Sequence, residues 1–344
     1  MDIAKRFTQQ QTLCSCWTDP AQSDAHISDS LAGDVGGGDV TLTVLDALNA
    51  PMATGQRHTV AIGTQLHIVC VTAVPTADLV EGVIYRYNLA FAFDDGQAMD
   101  LPTATGTQTV PGAFAYVPFG LPSFCLPPAS LDDLRILCGS CRIPHGNGRD
   151  CFSIGDKLIA QAASNPLGRP HQLLLTGDQI YADDVSASQL MVLSDAAHVL
   201  LGWKEQIPYD DAGGKADVDK LLPFLRRDPL EAAGFTSEDL DGQLLSLGEY
   251  LCMYIMVWSD VLWPADMPTF GDVAEATRVV LGGDPIAFSK WFGQRVKRAT
   301  TSAWTGKRSS SRCSDRTCPD TTEMMKDPTR LSVRRMMAIQ LNSY

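Results

Sequence analysis

Two segments of this chain place side chains of reactive type just past short aliphatic runs. In the first, Leu173-Leu174-Leu175-Thr176 stops at Gly177 and is followed by Asp178, with Tyr181, Asp183 and Asp184 close behind. In the second, Leu134-Arg135-Ile136-Leu137-Cys138 leads into Gly139-Ser140-Cys141-Arg142. The carboxyl ends of strands are where open α/β sheets bind their ligands. A carboxylate with a phenol three residues on looks like half of a metal site, although Asp178 would equally suit a turn or a helix cap. A thiol at the end of the other strand strengthens the metal reading.

These groups need elements to position them. Between the two runs, Ile154, Leu158, Ile159 and Ala162 recur at helical spacing over about 150–164. Strand, loop, helix and strand then form one unit, and both strand ends point their ligands to the same sheet edge. Cys141 and Asp178 are therefore expected to converge on one cation.

With Gly139-Ser140-Cys141-Arg142, His145-Gly146 and Asp150 ahead of Leu-Leu-Leu-Thr-Gly-Asp-Gln-Ile-Tyr-Ala-Asp, the chain resembles the alkaline phosphatase D-like (PhoD-like) metallophosphatases. These belong to the calcineurin-like metallophosphoesterase superfamily. The similarity continues at Gly248-Glu249-Tyr250, Met253-Tyr254, Trp258-Ser259-Asp260 and Leu262-Trp263-Pro264, and covers about residues 130–265. It implies a hydrolase of phosphoric mono- or diesters in which the Cys141 thiolate, a bridging Asp178 and the Tyr181 phenolate hold ferric iron, with calcium nearby. It also implies a metallophosphoesterase-type α/β/β/α domain behind an N-terminal β-rich region.

The donor types suit that chemistry. A multi-metal site polarises a phosphoryl group and lowers the pKa of bound water. Thiolate and phenolate suit ferric iron better than magnesium. Asp178 and Asp183 would also suit calcium, and other divalent metals fit the same oxygen donors. Arg142 and His145 could meet a substrate phosphate, Arg142 through a bidentate fork. A surface salt bridge and a loop-ordering histidine are the plainer readings of those two.

The superfamily completes its site with downstream Asn-His and Gly-His-x-His segments. Here the six histidines are His26, His58, His67, His145, His171 and His198, and the only asparagine beyond Asn165 is Asn342. The expectation is a catalytic domain without its second half, inactive in this chain. Residues 298–344 carry a formal charge of +5 against −18 for those before them, within a total of −13. Such a change fits a disordered basic tail or a shifted reading frame. The other two frames past codon 298 would then encode the absent motifs.

The rest of the chain bounds the reading. The excess of Asp and Glu argues against a nucleic-acid partner held by a basic groove. No apolar run reaches membrane-spanning length, and 250–259 reads as a buried helix. The N-terminus shows no export signal and the ten cysteines are scattered, so the expected compartment is the cytoplasm. Residues 1–38 read as a flexible lead-in, 39–128 as an antiparallel β-sandwich, 129–297 as the partial metallophosphatase domain and 298–344 as the aberrant tail. Within the sandwich, Val40, Leu42 and Val44 alternate with threonines, 66–71 reads as a strand, and Val83 to Phe93 puts alternate large residues on one face before an Asp95-Gly96 turn. That aromatic stripe suits a core more simply than a ligand platform. Pro118, Pro122, Pro127 and Pro128 mark a linker. Thr236 and Asp239 suggest a capping box, the acidic pairs of 204–242 a solvated insertion, and Cys138 a buried apolar residue rather than half of a redox pair. The fold class is α/β, an α+β pairing of two domains, and the alternatives to an enzyme are a non-catalytic fragment or a β-sandwich interaction protein.

Overall fold

Alternation of large and small side chains builds the first sheet. The computed structural model describes residues 37–104, 115–117, 119–142, 151–202, 205–208, 215–217, 221–237, 239–257 and 267–280. Strands β1 (Gly38–Leu45) and β2 (Pro51–His58) pair antiparallel, while β3 (Val60–Ala61) and β4 (His67–Ile68) form a separate two-stranded ladder. β5 (Val74–Pro75) borders β2, and β6 (Ile84–Phe93) pairs with the whole length of β1 through Arg86 to Phe93. β7 (Ala98–Asp100) pairs with the later part of β6 and β8 (Ser123–Cys125) with its start. The order across this six-stranded sheet is β5-β2-β1-β6-β7, with β8 beside β6.

One face of that sheet is the core. Val40, Val44, Tyr85, Tyr87, Leu89, Phe91 and Phe124 are buried together with Leu101 of the short helix α1 (Leu101–Ala104). The Tyr85 and Phe124 rings lie 5.7 Å apart, centroid to centroid. Each large side chain so buried contributes roughly 1.5–3 kcal/mol. The Asp95-Gly96 turn is present, with Gly96 at φ 88°, a value that favours glycine. Two expectations are corrected. The strand read at 66–71 is only His67–Ile68, and the proline-marked linker supplies β8 from within itself.

Residues 134–176 fold as strand, helix, strand: β9 (Ile136–Gly139), α2 (Phe152–Gln161) and β10 (Gln172–Leu175). β9 and β10 are parallel, Gln172 opposite Ile136 through Leu175 opposite Gly139. His171 helps set that register. Its Nδ1 accepts from the Arg135 amide at 3.1 Å, and its Nε2 lies 3.0 Å from the Pro166 carbonyl. Arg169 is fully buried without a carboxylate among its hydrogen bonds. Its guanidinium donates instead to Ser123 Oγ, the Ser123 carbonyl and the Ala163 carbonyl, tying β8 to the turn after α2. Burial pushes its pKa below the ordinary arginine value, against the opposing influence of Cys125 and Tyr116. Cys138, expected to be buried, is exposed, because among the described residues β9 has β10 as its one neighbouring strand.

The later helices are α3 (Ala187–Leu201), α4 (Arg227–Ala232), α5 (Leu247–Val257) and α6 (Phe270–Val280), with a small hairpin of β11 (Gln206–Pro208) and β12 (Lys215–Asp217). α3 packs against α6. Ser186 caps α3 by accepting from the Gln189 amide, and Thr269 caps α6 by accepting from the Asp272 amide. The capping box expected at Thr236 does not form. Asp239 instead precedes a short 3-10 turn, and the box belongs to Ser246 and Glu249 at the start of α5. Two compact units are distinguished, residues 37–180 with 255–257 and residues 181–254 with 267–280. The chain is thus mixed α/β, and among the described residues no helix is long and apolar enough to cross a membrane.

Candidate functional site

The parallel ladder does not end with its strands. Beyond β9 and β10 the Thr176 amide donates to the Gly139 carbonyl, Cys141 to Gly177 and Arg142 to Asp178, at 2.9, 3.0 and 3.0 Å. The two loops therefore leave the sheet edge side by side. Within them Cys141 and Asp178 both adopt left-handed backbone, at φ 60° and 46°. That region is disfavoured for residues with a Cβ and is found where surrounding structure imposes it. The result is a direct meeting of the two side chains, Cys141 Sγ donating to Asp178 Oδ2 at 3.1 Å. Ser140 Oγ lies 2.9 Å from the same sulfur.

Close approach keeps this corner narrow. A Cβ on Gly177 would stand 3.3 Å from Ser140 Oγ. Gln179 folds back to donate from Nε2 to the Gly177 carbonyl at 2.6 Å. Arg142 lays its guanidinium over the Phe152 ring at the start of α2, 4.5 Å from its centroid, a cation–π contact. Cys141 and Asp178 are both exposed, so a solute can reach the pair.

The remaining residues singled out in the sequence are placed as follows. Tyr181 is half-buried, and Asp183 is exposed; both open the second unit. His145 lies outside the described residues, as do Asp150, Asp210, Asp211, the 298–344 tail and all of 1–36. Among the described residues no three His, Cys, Asp or Glu side chains stand together ready to hold a metal ion. Cys141 and Asp178 are thus a donor pair rather than a finished iron–calcium site. As donors they fit, because a cation that displaced the shared thiol proton would find sulfur and carboxylate oxygen already adjacent.

One carboxylate differs from its expected character. Asp239, read as a solvated loop residue, is largely buried, and its pKa rises from 3.8 to about 6. Burial is the main cause, followed by the charge of Asp241, with Asp184 adding to it and Arg227 opposing. Arg227 donates to Asp241 Oδ2 at 3.0 Å. No local pattern announces this group, because the burial that dominates its shift is set by the fold, and the neighbouring Asp241 adds only the second contribution.

No protein-family model, curated protein or solved structure matches this chain.

Proposed function

We propose that this chain carries part of the metal site of a phosphoric ester hydrolase of the PhoD-like type, and that it does not by itself complete the catalytic centre. The observation that supports this reading is the 3.1 Å approach of Cys141 Sγ to Asp178 Oδ2 at the ends of adjacent parallel strands. In this reading Cys141 and Asp178 hold iron, Tyr181 and Asp183 are further ligands for iron and calcium, and Arg142 and His145 bind the substrate phosphate. The metals would polarise the phosphoryl group and activate water. The six-stranded sheet is one layer of a β-sandwich, and β9-α2-β10 begins an incomplete α/β/β/α domain. The proposed setting is cytoplasmic, with a phosphate ester as the partner and neither nucleic acid nor membrane.

The second reading, a non-catalytic derivative, draws on a different observation. Parallel sheets normally have both faces covered, yet Ile136 and Leu174 are each 44% exposed on this two-stranded pair. One experiment addresses both readings: iron and calcium binding, and hydrolysis of an aryl phosphodiester, by the purified chain and by Asp178→Ala. The expected result is metal bound by the parent and lost in the variant, with no turnover from either. Turnover that disappears in Asp178→Ala would establish an enzyme and remove the claim of inactivity. Equal metal binding by both proteins would sink the metal reading.

A further inference from the structure

The N-terminal β region holds a second group of metal-type donors, drawing on none of the residues of the Cys141–Asp178 corner. We propose a divalent-cation site of zinc type that forms on binding, when His58 Nε2, His67 Nδ1 and Asp94 Oδ2, which do not stand at ligand spacing without the ion, close around Gly37. His67 is about nine-tenths buried, and its Nδ1 is a buried nitrogen without a hydrogen-bond partner. Leaving such a nitrogen bare is costly in a folded protein, and each case calls for an explanation. The bare nitrogen faces a definite place. A Cβ built on Gly37 would lie 2.7 Å from Thr59 Oγ1, 3.3 Å from His67 Nδ1 and 3.5 Å from His58 Nε2, so the hydroxyl and both imidazoles border one small space that only the absence of a side chain leaves open.

His58 is oriented as zinc-ligating histidines are. Its Nδ1 is 3.0 Å from Asp39 Oδ1, and Gln56 Nε2 in turn donates to Asp39 Oδ2 at 3.0 Å. A carboxylate on one ring nitrogen fixes the tautomer and frees the other nitrogen for a metal. That other nitrogen, Nε2, has Asp94 Oδ2 at 3.8 Å, wider than the roughly 3.4 Å between two ligands on one tetrahedral zinc. The backbone holds all these parts in register. The Asp94 amide donates to the Gly37 carbonyl at 2.9 Å and the Thr59 amide to the Gly38 carbonyl at 2.9 Å. Asp39 pairs with His58 across β1 and β2, and Ala61 with His67 across β3 and β4.

Two nitrogens and one carboxylate oxygen make a donor set for zinc or cobalt rather than calcium or magnesium. Metal–nitrogen bonds of about 2.1 Å are shorter than either approach to that space, so both rings have to move inward on binding. The donors therefore stand outside ligand spacing, and a cation would draw them in. With three protein ligands, the fourth position is open to water or to an anion.

The test is titration of the chelator-stripped full-length chain with Zn²⁺, and with Co²⁺ followed by its visible absorption. One equivalent is expected to bind with nitrogen and oxygen ligation, and to persist in Cys141→Ala/Asp178→Ala, which separates this site from the one proposed above. Binding should weaken by at least about tenfold in His67→Gln, and in Gly37→Ala, whose methyl would occupy the space. Asp39→Asn should cost about 10- to 100-fold, the usual effect of removing a carboxylate behind a metal-bound histidine. His67 is buried and its variant could unfold, so His58→Gln and Asp94→Asn, both at exposed positions, carry the decision. Zinc affinity unchanged in those two, or no equivalent bound by the parent, would overturn the proposal.

Discussion

Cys141 and Asp178 occupy left-handed backbone, where a residue with a Cβ costs of order 1 kcal/mol. A position kept strained by its neighbours is more easily relaxed than improved. Cys141→Gly removes that strain but adds freedom to the unfolded chain. Its melting temperature is therefore expected to stay within a few degrees of the parent while any metal bound by the pair is lost. A large drop would show that the thiol holds the loop together instead. Asp239 makes the sharper prediction. Its folded pKa, about 6, lies above the ordinary 3.8, so the native state binds more protons between those values. Stability should accordingly fall as pH rises from about 4 to about 6 and then level off. Asp239→Asn mimics the neutral acid and should stabilise the protein by about 2 kcal/mol at pH 7, with the gain gone below pH 4. Thermal melts of both proteins across that range would decide it. At this scale Cys141 and Asp178 were legible, because glycine-terminated aliphatic runs mark strand ends. Asp239 was not, since its shift arises mainly from burial, which the fold sets, with the charge of Asp241 second.

The start of α5 shows how an element can depend on a few side chains. Glu205 accepts from the Leu247 and Gly248 amides, Glu249 Oε2 from those of Leu245 and Ser246, and Ser246 Oγ from that of Glu249. These satisfy the amide donors that a helix N-terminus otherwise leaves open. Glu249 also forms a fully buried ion pair with Arg226, with Ser194 Oγ donating to the same carboxylate. Burial alone would raise the Glu249 pKa, but Arg226, Ser194 and the Leu245 amide hold it below its ordinary value. Its stabilisation is present above the unfolded pKa and lost as pH falls through the depressed folded one, opposite in sign to Asp239. Glu249→Gln strands the Arg226 charge and should cost about 3–5 kcal/mol at neutral pH, a loss that shrinks in acid. Gly248→Ala is expected to cost about 1–3 kcal/mol, because the new Cβ would lie 2.6 Å from Leu201 Cδ1 and 2.9 Å from Ala197 Cβ. Denaturant melts that place either variant at parental stability would contradict this account. The helix itself was readable from its apolar run. The Ser246-x-x-Glu249 spacing was equally visible, but Thr236 and Asp239 offered a similar pattern, and only the three-dimensional contacts distinguish them.

At the scale of the whole chain, two tendencies oppose each other. A formal charge of −13 keeps copies apart at low ionic strength. Against it stand Ile136 and Leu174 on the parallel pair, with Ile154 and Leu158 of α2 also exposed. Among the described residues this parallel pair has uncovered aliphatic residues and no strand on either outer edge, an arrangement that invites association with another copy. Salt decides between these terms, since the screening length shrinks from about 10 Å at 0.1 M to about 3 Å at 1 M while apolar attraction is undiminished. Self-association is therefore expected to strengthen as sodium chloride is raised, the reverse of an assembly held by complementary charges. Ile136→Thr/Leu174→Thr should weaken it, because both positions are already exposed and threonine keeps β propensity without the aliphatic surface. Sedimentation velocity at low and high salt, on parent and double variant, reads out both terms. A parent that stays monomeric at 1 M salt would mean that the pair is covered in solution, and would remove the observation on which the non-catalytic reading rests.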